Sequence, residues 1–149
     1  MTKIFARAVL SHGTVETKDL IKTRRFYEKF LGLDVVQPSP LAIYASAGGS
    51  WKLSCVRTGR KLKEQGRENR FSLFVPSADM VRQAHNLAME QQADFAIRTI
   101  DGLVEDHDQC SFLLQDCNHT WWEVVNRPSS PRALEAAILE TVSSALSGA

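Results

Sequence analysis

An α+β fold made of two copies of a strand–helix–three-strand module is what this sequence predicts, and three observations predict it. The same order of period-two and period-3.6 apolar patterns occurs twice, with Gly32 in the first copy falling where Ala93 falls in the second. A polar, charged stretch, Arg57–Asn69 (RTGRKLKEQGREN), separates the copies. Each copy offers one helix for four strands, which cannot cover both faces of a sheet. Two half-sheets pairing into one curved sheet, helices outside and a concave cup inside, satisfies all three. The boundaries predicted are module one over 5–57, a linker over 58–68, module two over 69–126 and a C-terminal helix over 130–147.

In the first copy, Ala6–Glu16 reads as a strand on Val9, Leu10, Thr14 and Val15. Thr17 or Asp19 can cap the following helix. Leu20, Thr23, Tyr27, Phe30 and Leu31 recur on one helical face, with Arg24, Arg25, Glu28 and Lys29 off it. Gly32 stands at the C-cap position. Strands are predicted over Leu33–Gln37, Leu41–Ala45 and Trp51–Val56, punctuated by Pro38-Ser39-Pro40 and Gly48-Gly49-Ser50.

The second copy opens with a strand over Arg70–Val75. Ser77 caps a helix that carries Met80, Val81, Ala84, Leu87 and Ala88 on one face. Strands follow over Phe95–Ile100, Gln109–Gln115 and Thr120–Asn126, the last two joined by a turn at Asp116-Cys117-Asn118-His119. Beyond them, Ser130 and Pro131 fit the N-cap and first turn of a terminal helix, with Leu134, Ile138, Val142 and Ala145 as its apolar stripe.

Composition narrows the function classes. With 44% hydrophobic and 23% charged residues the chain is of ordinary globular make-up, which excludes collagen-like, disordered and coiled-coil classes. Eighteen basic and seventeen acidic side chains leave a net charge of +1, so no global field recruits nucleic acid or an anionic membrane. No apolar run approaches the roughly 20 residues of a bilayer span. The N-terminal residues lack a signal peptide's apolar stretch, and three cysteines (Cys55, Cys110, Cys117) without a C-x-x-C suit a reducing compartment. A cytoplasmic protein with thiols rather than disulfides is the expectation.

Two segments carry a family resemblance. Ser11-His12-Gly13-Thr14-Val15-Glu16 followed by Arg24-Arg25-Phe26-Tyr27-Glu28-Lys29-Phe30-Leu31-Gly32-Leu33 resembles the opening module of the vicinal oxygen chelate superfamily. Ser111–Val124, running strand, Asp-turn and strand to Glu123, resembles the end of its second module. Glyoxalases, bleomycin- and fosfomycin-resistance proteins and extradiol dioxygenases belong to that superfamily. The resemblance covers roughly residues 5–126 and implies two βαβββ modules around a metal-bearing cup, often in dimers. It is closest to the extradiol-dioxygenase-like, single-domain members.

In those relatives two histidines and one glutamate hold iron, leaving positions open for a catecholate and O₂. His12 matches the first ligand and Glu123 the third. Arg70 occupies the position of the second histidine, Leu113 stands where extradiol enzymes place a tyrosine, and Trp51–Val56 carries no carboxylate of the glyoxalase kind. A guanidinium has no lone pair to give and stays protonated. In a cup it repels a divalent cation, and can instead pair with Glu123 or take an anionic ligand by paired hydrogen bonds.

Each candidate has a plainer alternative. His12 is a metal ligand or a hydrogen-bonded strand histidine, and Glu123 a metal ligand or half of a salt bridge. Arg70 is a ligand-binding and catalytic cation, or a surface cation at a strand start. His107 matches a histidine before the third strand of some relatives and would serve as acid/base or anion contact, against a solvated acidic loop. Trp51, Trp121 and Trp122 would wall the pocket or fill the core; strand alternation puts one of the 121/122 pair on each face. The basic residues between Arg57 and Arg67 read as a solvated linker.

The resulting expectation is a small aromatic or oxygenated ligand in a central cup. The activity would be dioxygenase- or lyase-like, with one divalent metal (Fe, Mn, Ni or Zn). The alternative is a metal-free binding or sequestering protein with a degenerate metal site. The partners expected are that ligand and a second copy of the chain, with neither nucleic acid nor membrane.

Overall fold

The computed structural model describes residues 4, 8–107, 109–126, 139, 143 and 146–148. The chain forms two compact units, Met1–Leu62 and Lys63–Ala149.

The first unit contains β1 (His12–Thr17), α1 (Leu20–Arg25) running into a π-turn over Phe26–Phe30, β2 (Asp34–Ser39), β3 (Ala42–Ser46) and β4 (Lys52–Arg57). Its sheet order is β1-β4-β3-β2, with β1 and β4 parallel and the other pairs antiparallel. Leu53, Cys55, Ile43 and Ala45 are buried, on alternate positions of β3 and β4, together with Thr23, Phe26 and Tyr27 of the helical segment. His12, Thr14 and Lys52, on the other alternation, are exposed.

Of the two predicted caps, Asp19 performs the capping: its carboxylate accepts the Lys22 amide at 3.0 Å. Thr17 meets Thr23 instead, hydroxyl to hydroxyl at 2.9 Å, both fully buried. The helical face also differs from the 3.6-residue expectation. The Leu31 amide reaches back to the Phe26 carbonyl, and this wider turn brings Phe26 into the core beside Tyr27. Gly32 ends the segment at φ +69°, the left-handed region that glycine enters without strain. The first strand is shorter than Ala6–Glu16. Pairing with β4 begins only at His12↔Lys52, so Val9 and Leu10 stay outside it and exposed.

The second unit contains β5 (Arg70–Val75), α2 (Ala78–Glu90), β6 (Thr99–Ile100), β7 (Val104–Asp106), β8 (Gln109–Gln115) and β9 (Trp121–Asn126). β5 pairs β9 in parallel, β9 pairs β8, and β6 and β7 both pair β8. The Asp101 amide bonds the Leu113 carbonyl between them, so β6 and β7 are one interrupted edge strand. The first unit's order is thereby repeated. Ser77 caps α2 through the Met80 amide as predicted, and Val81 and Ala88 are fully buried.

Two expectations are corrected here. Phe95–Ile100 is not one strand: residues 91–97 turn on Phe95–Gln91, Ala96–Ala93 and Ile97–Gln92 backbone bonds, with Phe95 and Ile97 buried. The edge strand begins at Thr99 and resumes in Val104–Asp106, a stretch that reads as loop because its carboxylates face solvent. The linker is also less solvated than its charge suggests. Glu64, Gln65 and Arg67 bond to residues of the second sheet and its loops. The terminal helix expected over 130–147 lies almost wholly outside the described residues.

Candidate functional site

Parallel pairing of β5 with β9 sets Arg70 beside Trp121 and Ser72 beside Glu123. Period-two alternation then puts all four side chains on one face of the sheet, with Gln115 and Leu113 continuing the two rows on β8. Glu123 is held at both oxygens. The Ser72 hydroxyl donates to Oε1 at 2.7 Å, and Arg70 Nη2 donates to Oε2 at 3.3 Å. The Arg70 and Glu123 side chains are each only 17% exposed, so their mutual attraction is screened less than at an open surface. Arg70 Nη1 donates to the Arg67 carbonyl at 3.1 Å, while its buried Nε–H has no hydrogen-bond partner among the described residues.

The segment before β5 closes one side of this face. Arg67 grips Asp101 with two bonds, 2.8 and 3.0 Å, and lies 4.3 Å above the Trp121 ring. The Trp121 indole N–H donates to the Gln65 carbonyl at 2.8 Å. Glu64 meets Arg98, His119 and Gln115. The Arg98 hydrogen bond leads in holding its carboxyl below the usual range, helped by Gln115 and His119.

The tryptophan pair divides as strand alternation requires. Trp121 shares the face of Arg70 and Glu123. Trp122 lies on the opposite face, its ring 5.3 Å from Phe71 and its N–H on the buried Asp116 carboxylate at 2.8 Å. Trp122 is therefore a core residue, on the other face of β9 from Glu123. Asp116 also accepts the Asn118 and Thr120 amides at 2.8 and 3.1 Å, and so forms the β8–β9 turn. Burial pushes this carboxyl up to about 6 against those three hydrogen bonds.

The remaining candidates are not on this sheet face. His12 belongs to the first unit, exposed, with Nδ1 3.1 Å from the Ser11 hydroxyl. Trp51 packs on the Gly13 side of β1, the face opposite His12. His107 sits in the β7–β8 turn at φ +51° with its side chain 95% exposed, 3.5 Å from Asp106. That turn adjoins Gln109, the far end of β8 from the row of Arg70, Trp121 and Gln115.

Within the second unit, the side chains around Glu123 are not a metal-ligating set. Its two oxygens already serve a hydroxyl and a guanidinium, and a cation placed there would stand against the fixed charge of Arg70. No group of three His, Cys, Asp or Glu side chains suited to a metal occurs among the described residues. Sequence reasoning missed Ser72, Gln65, Arg67 and Asp101. Ser72 was within reach, lying two positions from Arg70 on the same strand face.

No protein-family model matches the sequence, and no curated protein matches it. Solved structures match it in fold. One is a glyoxalase/bleomycin resistance protein/dioxygenase family enzyme from Burkholderia phytofirmans PsJN, at 14% identity and TM-score 0.64 over 80% of this chain and 98% of that one. Another is the fosfomycin resistance protein FosX from Mesorhizobium loti, at 16% and 0.62 over 83% and 96%. A third is a lactoylglutathione lyase from Agrobacterium tumefaciens, at 14% and 0.58 over 80% and 93%. The chain has the glyoxalase/bleomycin resistance/dioxygenase fold, the vicinal oxygen chelate architecture that its two segments resemble. No helix among the described residues is long and apolar enough to cross a membrane.

Proposed function

We propose that this protein is a metal-independent member of its fold that binds a small aromatic or oxygenated anion, as a cytoplasmic homodimer. The observation that carries this reading is the Arg70–Glu123 pair, with Ser72 on the second carboxylate oxygen. A fixed guanidinium stands where a metal-binding relative would carry a neutral imidazole. An arriving carboxylate or phenolate competes with Glu123 for Arg70 and gains the buried Nε–H, which has no acceptor among the described residues. Trp121 backs this floor, with Arg67 over its ring.

A second reading keeps a divalent metal (Fe, Mn, Ni or Zn) on His12 and Glu123, with dioxygenase- or lyase-like chemistry. It is supported by the enzyme names that some of the fold neighbours carry. Metal content of the purified protein, with calorimetric titration of salicylate, separates the two. The binding reading expects substoichiometric metal and salicylate affinity at least tenfold weaker in Arg70→Gln, with the thermal melt as a folding control. Stoichiometric metal that disappears in His12→Ala overturns it in favour of the second. Light scattering tests the dimer.

A further inference from the structure

We infer a second ligand site, wholly inside the first unit, for a small organic phosphate monoester. A cavity of about 330 Å³ opens where the start of α1, the β2–β3 turn and the end of β4 meet. That volume is in the range of small-molecule sites. Three cations from three separate stretches of chain line it: Lys18 from the β1–α1 loop, Arg24 from α1 and Arg57 from β4. The one lining carboxylate, Asp19, is committed to the Lys22 amide.

Arg24 shares its charge with Glu28 at 3.0 Å, whereas Lys18 and Arg57 have no anionic partner among the described residues. Like charges brought to one concavity repel, and a bound anion removes that cost. Two cations without an ion pair suit the two charges of a phosphate dianion better than the single charge of a carboxylate. The helix amides do not supply the attraction, since Asp19 already caps them; the side-chain charges do. The other walls are apolar. Leu20, Pro40 and Ile21, the last 84% exposed, offer contact for the organic part of the ester.

The Arg57 backbone is fixed by its amide on the Leu41 carbonyl at 2.8 Å, and Thr58 bonds the Thr17 carbonyl at 2.9 Å. Two sides of the cavity are thus tied through main chain rather than through the side chains to be varied. The site shares no residue with Arg70, Ser72 or Glu123, so it stands or falls independently of the function proposed above.

The test is titration of the full chain with phenyl phosphate, inorganic phosphate and benzoate, followed by backbone-amide NMR. The expected result is saturable phenyl phosphate shifts at residues 18–24, 37–41 and 57–58, fitted separately from any at the Arg70 face. Lys18→Gln and Arg57→Gln should each weaken the affinity read at these residues at least tenfold, and Arg70→Gln should leave that local affinity unchanged. Absence of saturable shifts in this region, or unaltered affinity in both cavity variants, overturns the site. Benzoate shifting these same residues with equal affinity overturns the dianion assignment, and inorganic phosphate doing so overturns the apolar contribution.

Discussion

Arg70 and Glu123 meet across two parallel strands, Nη2 to Oε2 at 3.3 Å, with both side chains largely withdrawn from solvent. Removing one partner leaves a poorly hydrated charge facing a sheet. Arg70→Ala should destabilise the protein by about 1–3 kcal/mol, more than Glu123→Gln, whose one amide oxygen still accepts from Arg70 while its NH2 donates to the Ser72 hydroxyl. A double-mutant cycle on Arg70→Ala and Glu123→Ala in urea should return a coupling of about 1 kcal/mol. Strict additivity would show that the two groups do not act as a pair.

Asp116 is the buried keystone of the β8–β9 turn. Asp116→Asn places an amide N–H against either the Trp122 indole N–H or the Asn118 and Thr120 amides, at a cost of about 1–3 kcal/mol. The wild-type carboxyl also carries a pH signature. Its folded value of about 6 lies above its ordinary value of 3.8, so the folded state binds the extra proton. Its contribution is complete below about pH 4 and is lost as pH rises through 6, by about 3 kcal/mol at ~1.4 kcal/mol per unit. Urea melts from pH 4 to 7 should show the advantage of wild type over Asp116→Asn shrinking across that window.

Arg67 covers Trp121 while gripping Asp101. Arg67→Ala should cost at most about 1 kcal/mol, since half of the guanidinium side chain is exposed, but should uncover the indole. The measurement is fluorescence. A red-shifted emission and faster quenching by iodide are expected, and both should be absent when the same change is made in a Trp121→Phe background.

Gly13 lets β1 pass beneath Trp51. A methyl on it would sit 3.2 Å from the indole ring, closer than carbon atoms normally pack. Gly13→Val should displace Trp51 and cost about 1–3 kcal/mol, seen as a lower melting temperature with a changed near-ultraviolet dichroism.

Much of this architecture is legible in the residues. Arg70–Val75 and Gln109–Gln115 have the same bounds in pattern and structure, because their apolar runs are flanked by strongly polar punctuation. The pairing of Arg70 with Glu123 was foreseeable once the family resemblance set both at ligand positions of one cup. What local sequence does not carry is register. Ser72 joins Glu123 through a parallel pairing 51 residues long in sequence, which no window of neighbouring residues reveals. The same applies to Trp121 and Trp122: alternation says they part, and only the β5–β9 register says which way. The charged segment before β5 misleads for another reason. Glu64 and Arg67 keep much of their surface in water and still hold specific partners, so composition alone reads them as solvated.

In both units the opening strand finds its place only beside the closing one, β1 along β4 and β5 along β9. Neither half can zip up from a local hairpin to completion; each waits for its last segment to be synthesised and to return past the others. Such loop closure is slow. A chain released before Trp121 would carry β5 with an open ladder of amides and carbonyls, an invitation to join a neighbouring molecule's sheet.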